Sequence, residues 1–334
     1  MLHQRTPVPS AKELILGINQ GDTTALARAI TLVESENQDH LAKAARLIEA
    51  CLKPRPETMR IGITGVPGVG KSTFIETLGM TLIEAGHRVA VLAIDPTSTL
   101  SKGSILGDKT RMTSLSGHSK AFIRPSASGE SLGGVARKTR EAIILCEAAG
   151  YDVILVETVG VGQSETAVHS MVDFFLLLKL AGAGDELQGI KRGIIEMADA
   201  IVINKAEAAN AASAKQAQTE FSRALHLYPP KSSEWRPRVL TCSAIENTGI
   251  SEIWEMIGAY FQAIRKNSFL SAHRSAQNKQ WLMQHLEDVL KSEFFGSETL
   301  KKHLSEWVIK VENHTVSPFK AAELLMAEYR KELK

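Results

Sequence analysis

The spacing of apolar side chains changes twice along this chain. Residues 1–58 carry them at helical spacing, and Ser10 with Glu13 forms a capping box ahead of the first predicted helix. From 59 to 265, short apolar runs alternate with longer amphipathic stretches, a pattern typical of a mostly parallel sheet with helices on both faces. Residues 266–334 return to helical spacing. We therefore predict an N-terminal helical segment (1–58), a central α/β domain (59–265) and a C-terminal helical arm (266–334).

The central domain should contain seven strands and four main helices. The predicted strands are 60–65, 89–94, 121–124, 152–157, 172–179, 199–204 and 237–242. The predicted helices are 71–86, 132–149, 208–225 and 249–265. Ligands of such sheets bind beyond the carboxyl ends of the strands, so the polar residues that follow each strand are the candidates for chemistry.

One such segment joins the first predicted strand to the first helix of this domain. It reads Gly65, Val66, Pro67, Gly68, Val69, Gly70, Lys71 and Ser72, with Thr73 next. This is the phosphate-loop pattern of a P-loop NTPase, in which glycines let the backbone wrap around a polyphosphate and the helix start adds a positive dipole end. Lys71 would neutralise the β- and γ-phosphates, and Ser72 would give an oxygen to Mg²⁺. A glycine-rich turn without a ligand is the alternative.

Carboxylates lie at the ends of two other predicted strands, at the same edge of the sheet. Asp95 follows the strand 89–94 and could hold Mg²⁺ directly or through water, or could be only a turn residue before a proline. Glu157 ends its own strand and is the second candidate on the Mg²⁺ side. Gly160 could bring its N–H to the γ-phosphate without a side chain in the way.

Two features bear on the rate of hydrolysis. Val161 stands where small G proteins carry a water-orienting Gln, so unaided hydrolysis should be slow. The glycine-rich, charged segment 182–193 follows an apolar strand, and Lys191 or Arg192 could bring a cation to the transferring phosphoryl group, which can add roughly 10³-fold or more to the rate. A solvated basic turn is the alternative. The long polar segment of about 96–120 could be a lid or a switch.

The residues after the strand 199–204 indicate which base is bound. They are Asn204, Lys205, Ala206 and Glu207. In the related Asn-Lys-x-Asp pattern the carboxylate accepts from N1–H and the exocyclic amine of guanine, and Glu207 carries the same group one methylene further out. Ser243 and Ala244 follow the last predicted strand, where a Ser-Ala turn would support the base with a backbone N–H. Guanine is favoured over adenine, so the expected cofactors are GTP/GDP and Mg²⁺.

Composition limits the other classes of function. The chain has 39 Lys and Arg against 37 Asp and Glu, a net charge of +2, which offers no electrostatic case for nucleic acid. Its three cysteines are widely separated, without a CxxC pair, and suit a reducing compartment. The N-terminus has no apolar signal core, and the strongest apolar run is too short to span a bilayer. We expect a soluble cytoplasmic protein that does not associate with a membrane.

Apolar stripes in the C-terminal arm bear on assembly. They include Trp281 and Trp307, which suggests an exposed apolar surface that another subunit covers. A symmetric homodimer is the commonest outcome. A helical cap within the same chain is the alternative.

The motifs together resemble those of the MeaB/ArgK-type G proteins, the GTPase chaperones of methylmalonyl-CoA mutase in the SIMIBI class of P-loop GTPases. The most specific stretches are 156–165 and 181–193, supported by Asp95-Pro and by 107–112. The resemblance covers nearly the whole chain. It implies a mostly parallel P-loop NTPase sheet flanked by helices, with an N-terminal helical segment and a C-terminal helical arm.

The resemblance also implies roles for individual residues. Lys71 and Ser72 would contact the phosphates and Mg²⁺, and Asp95, Asp108 and Glu157 would surround the metal. The implied catalytic residues are Lys71, Glu157 and Lys191, the last as the activating cation of a third switch. The implied function is to gate adenosylcobalamin loading of the mutase and to protect it, as a homodimer through the arm. Glu207 in place of Asp affects only how stringently guanine is selected.

Two other classes of function stay open. A metallochaperone GTPase of the nickel-insertion type would need Cys and His at the dimer interface or a His-rich tail, and the sequence offers neither. A kinase of a transport protein would need a base near the acceptor hydroxyl, for which the sequence offers no candidate beyond the switch acids.

Overall fold

In a computed structural model of the protein, the described residues are 9–35, 37–94, 112–126, 132–158, 164–182 and 192–332. The chain divides into two compact units. The first ends at Gln277 and includes the N-terminal helices, and the second begins at Asn278. The division falls within one long helix, Phe269–Gly296. The domain boundaries predicted after 58 and 265 stay predictions.

The described part of the first unit is built on one seven-stranded sheet, which confirms the predicted fold class. The strands are β1 (Met59–Gly65), β2 (Val89–Ile94), β3 (Ala121–Ser126), β4 (Val153–Thr158), β5 (Phe174–Leu180), β6 (Ala200–Asn204) and β7 (Arg238–Thr241). Their spatial order is β3-β2-β4-β1-β5-β6-β7, and every neighbouring pair is parallel. Each predicted strand agrees with these bounds to within two residues.

Helices flank the sheet and fill the N-terminal segment. In the described part of the first unit they are Ala11–Asn19, Thr23–Glu34, Gln38–Cys51, Lys71–Glu84, Thr113–Ser116, Leu132–Ala148, Ser164–His169, Arg192–Met197, Ala211–Leu225 and Ile250–Lys266, followed by the long helix. The second unit adds Glu298–Glu312 and Pro318–Glu332. The four main helices predicted for the central domain are all present.

Both faces of the sheet are covered by helices. Neighbouring side chains along a strand point to opposite faces, so each strand contributes to the core on both sides. In β5, Leu176 belongs to an apolar cluster that includes Phe74 and Ile257 from two helices on one face. The next residue, Leu177, belongs to a second cluster with Phe221 from a helix on the other face. Burial on both faces explains why the strands read as near-continuous apolar runs.

The three N-terminal helices pack against one another and against the helix Leu132–Ala148. The first begins with the predicted capping box: the Glu13 N–H donates to the Ser10 hydroxyl, and the Ser10 N–H donates to the Glu13 carboxylate. Arg124 in β3 pairs with Glu34, which ties the second of these helices to the edge of the sheet.

The two helices of the second unit pack against each other. Leu300 and Leu325 are buried, and His303 Nδ1 lies 2.8 Å from Glu328 Oε2. By contrast, Leu290 near the end of the long helix is 60% exposed. Within the described ranges, none of the helices combines the length and the apolar character needed to cross a membrane.

Candidate nucleotide and magnesium site

The segment between β1 and the helix Lys71–Glu84 has the form predicted for a phosphate loop. β1 ends at Gly65, and Gly70 is the N-cap of the helix. Gly70 has φ of +91°, in the left-handed region that favours glycine. A Cβ at this position would lie 2.8 Å from Nδ2 of Asn204. Glycine is therefore required here both by the backbone conformation and by the close approach of another side chain.

Lys71 is held inside this loop. Its ammonium group donates to the carbonyl oxygens of Gly65 at 2.8 Å and Val66 at 3.3 Å, and the residue is only 8% exposed. Burial lowers the pKa of Lys71, and the charges of Glu157 and Glu165 act in the opposite direction. The structure thus places one buried cation in the loop with two carboxylates close enough to influence it.

Ser72 and Glu157 meet at the same edge of the sheet. The Ser72 hydroxyl donates to Oε1 of Glu157 at 3.2 Å. Glu157 pairs in register with Ile63 of β1, two residues before the strand ends, so adjacent parallel strands bring the loop and the acid together. A hydroxyl and a carboxylate are the kind of oxygen ligands that Mg²⁺ accepts beside phosphate oxygens and water. The two residues therefore fit a Mg²⁺ ion.

The segment 204–207, which is predicted to contact the base, is hydrogen-bonded directly to the phosphate loop. Nδ2 of Asn204 donates to the carbonyl oxygen of Val69 at 2.9 Å, and the Lys205 ammonium donates to that of Gly68 at 2.9 Å. Oδ1 of Asn204 accepts from the N–H of Ala244 at 3.2 Å. One amide side chain thus connects the phosphate loop, the end of β6 and the turn after β7.

Ser243 positions the carboxylate predicted to read guanine. Its hydroxyl donates to Oε1 of Glu207 at 2.9 Å and accepts from the N–H of Glu246 at 3.1 Å, and the residue is fully buried. The sequence predicts only backbone support from this turn, whereas the structure also gives the Ser243 side chain a role. Beside it, burial and the charge of Glu207 raise the pKa of Cys242 to about 12, so this thiol stays protonated.

A family model described as "Methylmalonyl Co-A mutase-associated GTPase MeaB" matches residues 26–299. The chain belongs to the MeaB family. It is therefore a P-loop GTPase of the SIMIBI class, as its motifs predict. The family assignment supports a role associated with methylmalonyl-CoA mutase.

Relatives of this MeaB-family GTPase extend over most of its length. A probable GTPase of Mycobacterium bovis is 49% identical over 313 residues, 94% of this chain and 93% of that protein. The GTPase ArgK of Escherichia coli is 47% identical over 306 residues, 92% of each chain. The mitochondrial methylmalonic aciduria type A homolog of Mus musculus is 44% identical over 327 residues, 95% of this chain and 79% of that protein.

A solved structure supports the fold of the MeaB-family chain. The crystal structure of a LAO/AO transport system kinase shares 40% sequence identity with it and superposes with a TM-score of 0.76. The match covers 96% of this chain and 97% of that one. The two proteins therefore have the same fold.

Two residues of the MeaB-family site were not predicted from the sequence. Glu165 is 2% exposed, and within the described residues its Oε2 has no hydrogen-bond partner. Its helix, Ser164–His169, packs on β1 and β4. Thr77 donates to the carbonyl oxygen of Ala244 at 2.8 Å, which links the helix after the phosphate loop to the base-side turn. The signal for Glu165 was its place in the specific stretch 156–165.

Several predicted residues of this MeaB-family site lie outside the described part of the chain. They are Asp95, Asp108, Gly160, Val161 and Lys191. Their predicted roles toward the metal, the γ-phosphate and hydrolysis stay predictions. Within the described ranges there is no group of three or more His, Cys, Asp or Glu side chains that could hold a metal ion.

Proposed function

We propose that this GTPase is a chaperone of methylmalonyl-CoA mutase that gates the loading of adenosylcobalamin and protects the mutase from inactivation. The family description names the mutase, and the mouse relative is named for methylmalonic aciduria type A. The observation that carries the nucleotide half of the proposal is the bond from Asn204 Nδ2 to the carbonyl oxygen of Val69. It joins the elements that would read the base to those that would hold the phosphates.

In this proposal GTP binds along the carboxyl ends of the strands. Its phosphate oxygens take the place of the carbonyl oxygens that Lys71 contacts in the structure. Ser72 and Glu157 hold Mg²⁺, with Asp95 and Asp108 as further predicted ligands. The metal neutralises charge that develops on the phosphoryl group.

Hydrolysis is proposed to be slow alone and faster with the mutase. Val161 supplies no side chain that could orient the attacking water. The segment 182–193 acts as the third switch, and contact with the mutase brings Lys191 to the transferring phosphoryl group. A cation in that position stabilises the charge of the transition state.

The test is the rate of GTP hydrolysis by the full chain, with and without the apo and cobalamin-loaded mutase. We expect a rise of at least tenfold with the mutase, and a complex whose affinity differs between GTP and GDP. Lys71→Ala should abolish both effects, whereas Lys215→Ala, at an exposed lysine of the helix Ala211–Leu225, should change neither. An unchanged rate with no complex in any nucleotide state would contradict the chaperone role, even if GTP still bound.

We also propose that the chain forms a homodimer through its C-terminal arm. Leu286 and Leu290 lie four residues apart on one helix and are 46% and 60% exposed, an apolar pair that a second copy could cover. Leu290→Glu should yield a monomer in light scattering, whereas Ser292→Glu, an exposed position on another face of the same helix, should remain dimeric. A monomeric wild-type chain would contradict this proposal.

A kinase activity is the second candidate, because the relative of known structure, 40% identical to this chain, is named a LAO/AO transport system kinase. The distinguishing measurement uses γ-labelled ATP and GTP with candidate transport proteins. Label that appears in a protein rather than in free phosphate would favour the kinase over the chaperone.

A further inference from the structure

A cavity of about 1090 Å³ lies at the amino ends of β5, β6 and β7, the edge of the sheet opposite the phosphate loop. Val172, just before β5, is one of its lining residues, whereas Leu178 at the other end of that strand pairs with Gly65 of the loop. Leu178 lies six positions after Val172, and at about 3.3 Å per residue this is roughly 20 Å. The cavity is therefore separate from the candidate nucleotide site.

Most of the lining is apolar or aromatic. Phe175 lies at the start of β5, Ile195 comes from the helix Arg192–Met197, and Tyr228 and Trp235 come from the segment before β7. Phe269, at the start of the long helix, contributes another ring. A concave site with such walls and a few polar groups is the usual environment for the body of a small organic ligand.

The two buried carboxylates in this lining are already compensated. Asp199 accepts from the Lys231 ammonium at 2.7 Å and from the N–H of Phe175 at 2.9 Å. Asp173 accepts from the Arg274 guanidinium at 2.6 and 2.9 Å. Their charges are therefore engaged within the protein and leave little repulsion toward an anionic ligand.

The lysine of the lining is thus engaged with one of these acids, whereas its two arginines are not paired in this way with any acid that the structure describes. Within the described residues, Arg236 and Arg238 pair with no carboxylate, and the Arg238 guanidinium lies over the Trp235 ring, 5.1 Å from its centre. The remaining acid, Glu196, is exposed, as are Arg236 and Arg238. His169 has no hydrogen bond to any described residue, and burial lowers its pKa, so its neutral ring can donate or accept. The formal charges of the lining balance, but its two buried acids are paired, whereas two of its guanidinium groups pair with no described acid, so the cavity combines apolar walls with two unpaired cations.

We propose that this cavity is a binding site for an amphipathic organic anion, a small molecule with an apolar or aromatic body and one acidic head. The body would lie among Ile195, Tyr228 and Trp235, and the head would lie at Arg236 and Arg238. A free guanidinium is the side chain best suited to carboxylate, sulfonate or phosphate oxygens. The proposal does not depend on the mutase role.

The first test titrates the full chain with the fluorescent anion 8-anilinonaphthalene-1-sulfonate, in saturating GDP and Mg²⁺. N-phenyl-1-naphthylamine, the same ring system without the sulfonate, serves as the matched probe. We expect one saturable site per chain and at least tenfold tighter binding of the sulfonate. Equal affinity for the two probes, weaker binding of the sulfonate with saturating GDP than without it, or no saturable binding would each overturn the proposal.

The second test reverses one charge at the cavity. Arg236→Glu replaces an exposed side chain for which the structure shows no hydrogen bond to a described residue, and should weaken the sulfonate at least fivefold without changing GDP affinity or the midpoint of thermal unfolding. Arg223→Glu makes the same charge change on the helix Ala211–Leu225, outside the lining, and should leave binding unchanged. An equal loss in both variants, or no loss in either, would show that the cavity does not select the anion.

Discussion

The side-chain amide of Asn204 lies against the phosphate loop at Gly70. Its Nδ2 is 2.8 Å from where a Cβ of Gly70 would stand, and it donates to the carbonyl oxygen of Val69 at 2.9 Å. Its Oδ1 accepts from the N–H of Ala244 at 3.2 Å. A residue expected on the base side of the site is therefore part of the structure that holds the phosphate loop in place.

Asn204→Ala should consequently affect both halves of the nucleotide. The change leaves two buried backbone groups without these partners, and each loss costs about 1–3 kcal/mol of unfolding free energy. Affinity for GTP and for GDP should fall by similar factors of at least ten, because the loop loses its support in both states. Urea unfolding without nucleotide and calorimetric titration measure the two effects.

The control for that variant is Asn210→Ala. Asn210 is exposed, and its amide donates to the carbonyl oxygen of Lys205 at 3.3 Å. Its loss should change stability by no more than about 0.5 kcal/mol. If Asn204→Ala changed stability and nucleotide affinity no more than Asn210→Ala does, the hydrogen bonds of Asn204 would not be needed to hold the phosphate loop.

A comparison of Gly70→Ala with Gly86→Ala distinguishes two effects of adding a Cβ: a steric clash with a neighbouring side chain, and strain of the left-handed backbone. Both glycines have positive φ, +91° and +100°, but a Cβ at Gly86 would meet no atom within 4 Å. Each alanine should cost about 1–2 kcal/mol for the left-handed backbone. Only Gly70→Ala should also displace Asn204 and abolish nucleotide binding. If calorimetry showed that Gly70→Ala binds GTP as tightly as the wild-type chain does, the close approach of Asn204 would not require glycine at this position.

Most of the sheet and much of the candidate site could be predicted from the sequence, for a physical reason. Buried parallel strands read as apolar runs, and the phosphate loop needs fixed residue types at fixed spacing. Hydrophobic periodicity could not find Glu165, because its helix of six residues is too short to show a period, and its place in the stretch 156–165 gave no role for its side chain. The contact between Thr77 and Ala244 joins positions 167 residues apart, which no local pattern encodes.

Glu207→Gln should change which base is bound. The carboxylate that Ser243 orients can accept from the N1–H and the C2 amine of guanine, whereas an amide nitrogen can only donate. Affinity for GTP should fall about 10- to 100-fold, in line with the loss of hydrogen bonds to a charged group. Xanthosine triphosphate carries a carbonyl oxygen at C2, so its affinity should rise. Competition titrations of both nucleotides against wild type and variant decide this, and a loss of GTP without a gain for the xanthine nucleotide would contradict guanine reading by Glu207.

Glu141, on the helix Leu132–Ala148, should make stability depend on pH. Its side chain is 18% exposed, and Arg137 Nε lies 3.8 Å from its carboxylate. Burial raises the pKa of Glu141 to about 7, against the charges of Arg137 and Lys138. The unfolded chain releases this proton near pH 4.5, whereas the folded chain keeps it to about pH 7.

Between those two values the folded state holds more protons than the unfolded state, so the free energy of unfolding should fall as pH rises. The total decrease is about 3 kcal/mol and is complete about one pH unit above the folded-state pKa. Glu141→Gln keeps the shape and removes the titration, so it should stabilise the chain at pH 8 and leave it unchanged at pH 4. Urea unfolding at both values measures the difference, with the exposed Glu220→Gln as control. Glu220→Gln should keep the pH dependence of the wild-type chain. If Glu141→Gln kept it as well, burial of Glu141 would not be the source of that dependence.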